Sequence, residues 1–89
     1  MARDMNREMT EEEKLFISEL LPKLPPAYSR QEAPNAVPGL FAYRTLANAD
    51  DTGTGPSVAW KIGKKVVYPT RALLEWVVLK WGVRRLDRL

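Results

Sequence analysis

Four cations stand close together in the C-terminal half of this chain: Lys61, Lys64 and Lys65 fall within five residues, and Arg71 follows six residues later. Ammonium and guanidinium groups at that density suit contact with phosphates, which positions a partner without reading its sequence. Arg44 and Asn48 carry a different chemistry. They are four residues apart, the spacing that puts two side chains on one face of a helix. Arginine can pair in bidentate fashion with guanine and asparagine with adenine, each contact contributing ~1–3 kcal/mol of discrimination. The plainer alternatives are a solvated helix face for this pair, and lysines that guard a hairpin against edge pairing.

Groups that make or break bonds are missing. The 89 residues include no histidine and no cysteine, which removes a disulfide framework and the usual ligands of zinc, iron and copper. Ser18, Ser29 and Ser57 have no base to activate them. Gly53-Thr54-Gly55-Pro56 lacks the lysine and the following helix of a phosphate-binding loop. Asp50 and Asp51 are adjacent carboxylates expected in a solvated turn, and acid–base work needs a pocket that so short a chain can hardly spare. A non-catalytic protein without cofactor or metal is the expectation.

Charge is distributed unevenly. The first twenty residues hold three basic side chains (Arg3, Arg7, Lys14) against six acidic ones, whereas the remainder holds eleven basic against five acidic. An acidic leading segment before a basic domain suits approach to a polyanion through the C-terminal two-thirds. The chain is short enough for one modest core. It has neither a secretory-type apolar core at its start nor a run approaching the ~20 apolar residues that span a bilayer, so a cytoplasmic location without membrane contact is expected.

The elements that must position these residues follow from capping signals, periodicity and proline. Residues 1–9 are polar and aperiodic, and are expected to be disordered. Residues 10–21 read as an amphipathic helix, opened by a Thr10/Glu13 capping box and carrying the stripe Phe16, Ile17, Leu20 and Leu21. Pro22, Pro25 and Pro26 make 22–27 a stiff, extended connector. Ser29 with Glu32 reads as a second capping box, opening a short helix near Arg30 that Pro34 must kink, shorten or restart. After Pro38-Gly39, Phe41 to Ala49 forms another helix with Leu46 and either Ala42 or Ala49 inward, and 50–56 is a loop.

Val58, Trp60 and Ile62 alternate with Ala59 and Lys61 as in a half-buried strand, Gly63-Lys64 makes a type II′ turn, and Val66 to Tyr68 returns. Thr70 caps a last helix from Arg71 to about Trp81, stopped by Gly82. That helix is apolar nearly all round, and its cover is either the 16–21 stripe or a second subunit. Trp60, Tyr68 and Trp76 read as core rather than as a stacking platform for single strands. Trp81 reads as a seal against the N-terminal helix or as a dimer contact. Residues 82–89 form a basic tail with Arg84, Arg85 and Arg88.

Tyr28-Ser29-Arg30-Gln31-Glu32-Ala33, Thr45-Leu46-Ala47-Asn48, Gly53-Thr54-Gly55-Pro56, Lys61-Ile62-Gly63-Lys64-Lys65-Val66-Val67-Tyr68 and Leu73-Leu74-Glu75-Trp76 together resemble the excisionase-type helix-turn-helix proteins, a group that includes AlpA-type prophage regulators. The match covers about residues 28–77. The resemblance implies a MerR-like winged helix whose second helix enters a major groove while the hairpin touches the neighbouring backbone or minor groove. Pro34 with Pro38-Gly39 departs from the family pattern, and so do Asp50 and Asp51, where relatives often carry a basic residue.

The resulting expectation is a mainly α fold with a small β-hairpin: a winged helix-turn-helix over 28–81 with an extra N-terminal helix. Its partner is double-stranded DNA, contacted by Arg30, Arg44, Asn48, Lys61, Lys64, Lys65 and Arg71. An integrase or recombinase, or a second copy held through Phe16, Leu20 and Trp81, joins it. The role implied is a recombination directionality factor or a prophage transcription regulator. The competing expectation is a non-catalytic protein-interaction module on the same scaffold, binding a recombinase, a packaging subunit or a second copy of the chain.

Overall fold

The computed structural model describes residues 7–86, and its elements run α1 (Glu11–Leu20), a 3-10 turn (Leu21–Lys23), β1 (Ala27–Ser29), a second 3-10 turn (Ala33–Ala36), α2 (Tyr43–Asp51), β2 (Trp60–Ile62), β3 (Lys65–Pro69) and α3 (Thr70–Trp81). Three α-helices and a small three-stranded antiparallel sheet, in the order β1-β3-β2, form a mixed α/β unit. The sheet has one strand more than the expected hairpin. The expected disorder of residues 1–6 and the tail residue Arg88 lie outside the described residues.

Helix α3 organises the packing. Ala72, Leu73, Leu74, Trp76, Val77 and Val78 are all buried, and at ~100° per residue they point around most of the helix, so cover must come from two sides. Leu73, Trp76 and Val77 join Tyr28, Ala33, Ala36, Leu46, Ala49 and Tyr68 in one core. Leu74 and Val78 join Ile17 of α1 in a second, with Phe16, Leu20 and Leu21 packed at its edge. The α1 stripe is therefore the cover that α3 requires. Trp81 packs on the first core. Its ring stacks on Phe41 at 5.7 Å and meets Trp76 edge-on at 5.3 Å, both centroid distances, which places it at the rim of the first core.

The proline-rich connector is extended from Leu24 onward and then becomes β1, with Tyr28 opposite Tyr68. Pro25 and Pro26 cannot donate hydrogen bonds, but their carbonyls serve as acceptors. The Thr70 amide donates to Pro26 O at 2.9 Å and the Thr70 hydroxyl donates to Pro25 O. Thr70 thus clamps the connector instead of capping α3, whose N-cap position is Pro69 and has no side-chain cap.

The second expected capping box is also absent. Ser29 lies in β1 and its hydroxyl meets the Glu32 carboxylate at 3.4 Å. The helix expected near Arg30 is reduced to the 3-10 turn Ala33–Ala36, with Pro34 in its first turn, where a missing N–H costs little.

The hairpin turn is as expected: Gly63 has φ +62 and no described non-glycine residue has a positive φ, which fits type II′. The phase of β2 is reversed. Tyr68 is buried and Val66 half-buried, so Lys61, opposite Val66, shares the inward side, while Trp60, opposite Val67, and Ile62, opposite Lys65, face out. Trp60 is 61% exposed and Ile62 64%. Strict alternation says only that two sets oppose each other, and β2 is the edge strand, with Trp60 and Ile62 exposed on its outer side.

The start of α1 is held by a buried carboxylate. The Thr10/Glu13 capping box is present, and Glu13 also accepts two bonds from Arg7, at 2.9 and 2.7 Å, and one from the Val83 amide at 3.3 Å. Arg7 Nη2 donates on to Val78 O at 3.0 Å, and the Arg85 amide donates to Glu12 at 3.0 Å. Residues 7–9 and the described part of the tail are thereby tied to α1 and α3, against the expectation of a disordered start.

The hydrogen bonds from Arg7, with those from the Thr10 and Val83 amides, outweigh burial and hold the Glu13 carboxyl at about 2, below its ordinary 4.5. A depressed carboxyl contributes stability that is present above its unfolded value and is lost as pH falls toward the folded one. Here the contribution is on the order of 3 kcal/mol, lost between about pH 4.5 and about pH 2. Urea titrations of the wild type beside Glu13→Gln are therefore expected to show a large stability gap at neutral pH that closes across this window.

Candidate nucleic-acid interface

Helix α2 turns Leu46 and Ala49 into the first core and leaves Arg44 and Asn48 exposed on the opposite side. This is the outward pair expected from the four-residue spacing. The helix is shifted two residues from the expected Phe41 to Ala49, starting at Tyr43 and running through Asp51. Asp51 is exposed and, three residues beyond Asn48, shares the Arg44/Asn48 face.

Asp50 is not part of a solvated turn. Its Oδ2 accepts from Arg30 Nη2 at 2.7 Å and from the Tyr68 hydroxyl at 2.6 Å, and Arg30 Nε donates to the same hydroxyl at 3.0 Å. Arg30 is thus committed within the fold, between the end of α2 and β3. Burial and the Asp50 carboxylate together push the Tyr68 hydroxyl up to about 12, so it remains a donor. The Gly-x-Gly-Pro turn wraps this site: a Cβ at Gly55 would collide with the Asp50 carboxylate. The Thr54 carbonyl, one residue earlier, accepts from Trp76 Nε1 at 2.8 Å, which anchors the turn to α3.

The hairpin stands beside the start of α2. Lys64, Lys65 and Val66 line a cleft of about 270 Å³ with Ser29, Arg30, Gln31 and Tyr43. Tyr43, 49% exposed, is the first residue of α2 and precedes Arg44. It was not among the expected contacts, although an aromatic next to Arg44 at the head of that helix was a readable signal. Lys61, Lys64 and Lys65 are all exposed.

Arg71 is exposed but stands elsewhere. It follows β3 at the Pro69 end, six residues and roughly 20 Å of chain from Lys65. Asn48 lines a separate shallow hollow with Thr45, Thr52, Thr54 and Lys80. A larger hollow, about 910 Å³, lies between the start of α1 and residues 81–86, but the Arg7–Glu13 pair lines it with both charges satisfied.

Three helices and a three-stranded antiparallel sheet with a basic hairpin are what the geometry defines. No helix among the described residues is long and apolar enough to cross a membrane. No protein-family model, curated protein or solved structure matches the chain.

Removing the Asp50 carboxylate leaves Arg30 Nη2 and the Tyr68 hydroxyl without their acceptor, and Asp50→Ala is expected to lower stability by ~1–3 kcal/mol. Gly55→Ala should destabilise through the same carboxylate, so its cost is expected to shrink in an Asp50→Ala background. Thermal melts of the two single variants and the double variant measure this coupling.

Proposed function

We propose that the chain is a non-catalytic, double-stranded-DNA-binding protein with a winged helix-turn-helix architecture, in which α2 is the recognition helix and the β2–β3 hairpin is the wing. The observation that carries this reading is the cleft joining Tyr43, at the head of α2, to Lys64 and Lys65 on the hairpin. A helix N-terminus beside two lysines offers backbone donors and fixed positive charge to one backbone. The neighbouring Arg44 is exposed for base contact.

Asp51 decides which end of α2 approaches. It lies seven residues beyond Arg44, ~10 Å along the axis, and its charge repels phosphate. Contact therefore centres on the N-terminal turns, with Arg44 on base edges and Asn48 further back. Lys61, Lys64 and Lys65 hold phosphates. Arg71 lies outside the central contact, and Arg30, which lines the cleft, has its Nη2 held by Asp50.

The resemblance to excisionase-type and AlpA-like proteins supports a role as a recombination directionality factor or prophage transcription regulator in the cytoplasm, on the nucleoid. A recombinase is the corresponding protein partner. An interaction module on the same scaffold is the second reading, favoured by the exposed apolar side of the hairpin.

Fluorescence anisotropy on random duplex DNA tests the proposal. Binding is expected to weaken steeply with salt, and Lys64→Ala/Lys65→Ala to flatten the log–log salt slope by roughly one to two. Asp51→Asn is expected to tighten binding several-fold at low salt. Unchanged affinity for the double lysine variant at low salt contradicts the assignment of the hairpin.

A further inference from the structure

Residues 52–74 carry Lys61, Lys64, Lys65 and Arg71 and no carboxylate. Within this basic stretch the outer side of the hairpin is apolar. Trp60 and Ile62 are 61% and 64% exposed, and Val58, two residues ahead of Trp60, is 41% exposed. Val67 stands opposite Trp60, and Lys65 stands opposite Ile62 on the same side. Lys64 occupies the turn and Lys61 projects from the reverse side, so cations surround the apolar pair.

Large apolar side chains left in water forgo the gain of burial, and a contiguous pair on an edge strand marks a contact surface. The charges select its occupant. A two-fold contact with a second copy would set the three lysines against their own equivalents, whereas a polyanion is attracted to all three. Duplex DNA offers phosphates at its rim and apolar surface on the faces of its base pairs, which become accessible when a step is opened.

We propose that Trp60 and Ile62 form an apolar wedge that opens one base-pair step of double-stranded DNA, with Lys61, Lys64 and Lys65 on the flanking phosphates. The proposal rests on the DNA-binding reading above and adds a deformation to it. Ile62 adjoins the turn and reaches deepest. Trp60 lies ~7 Å back along the strand and covers the sugars beside the opened step. Both side chains are exposed in the free protein, so their removal leaves the core intact.

The test is an anisotropy competition between a fully paired duplex and the same duplex with one central mismatch, where opening a step costs less. Wild type is expected to prefer the mismatched duplex by about tenfold. Trp60→Ala/Ile62→Ala is expected to retain salt-sensitive binding and lose the preference, whereas Lys64→Ala/Lys65→Ala is expected to weaken binding to both duplexes alike. Equal affinity of wild type for the two duplexes overturns the wedge and leaves DNA binding standing. So does an unchanged preference in the apolar variant. A sedimentation shift from dimer to monomer in that variant, with DNA binding unaltered, makes the surface a self-association site and overturns the wedge as well. Absence of wild-type duplex binding at low salt defeats both the wedge and the reading beneath it.

Discussion

A helix that is apolar on nearly every side cannot be finished by one neighbour, and the arrangement of this chain depends on how α3 is covered. The sheet and α2 close one side through Tyr28, Leu46 and Tyr68, and α1 closes the other through Ile17. Each group of elements packs against the same helix. The hairpin enters α3 directly from β3, and Leu46 and Ala49 of α2 share the first core with Leu73, Trp76 and Val77. The relative placement of α2 and hairpin, on which any interface made by both relies, is thus a consequence of packing on α3.

Two carboxylates refine that packing. Glu13 gathers Arg7 and the amides of Thr10 and Val83, which locks both described ends of the chain onto α1. Asp50 gathers Arg30 and Tyr68, which ties the end of α2 to β3 and the segment after β1. Each is spent inside the fold. The Asp50 pair is partly exposed, so its value lies more in fixing geometry than in Coulomb energy. Because Asp50 is neutralised and residues 52–74 contain no further acid, the hairpin surface is left with uncompensated positive charge.

Local signals made much of this architecture legible. The Thr10/Glu13 box, the Gly63-Lys64 turn and the Gly82 stop depend on a few adjacent residues, and each is found where spacing put it. The amphipathic pattern of α2 likewise placed Arg44 and Asn48 outward. Non-local choices were illegible. Whether Trp60 or Lys61 faces the core depends on which side of the edge strand is covered, which alternation cannot state. Ser29 had two uses for its backbone, a helix start or a strand paired with β3, and sheet pairing prevailed because Pro34 cannot continue a helix there. The roles of Thr70 and Asp50 depended on partners 45 and 18 residues away, at Pro25 and Tyr68. The pairing of Asp50 with Arg30 also withdraws one cation from the surface that composition alone would have counted.

Two-dimensional NMR of the labelled protein during titration with a short duplex examines the central claim, a DNA-binding face built from the head of α2 and the hairpin. The account predicts amide shifts concentrated at Tyr43, Arg44, Lys61, Ile62, Lys64 and Lys65, with α1 and the buried side of α3 unmoved. Shifts confined to α1 and residues 82–86, or none at low salt, would contradict it.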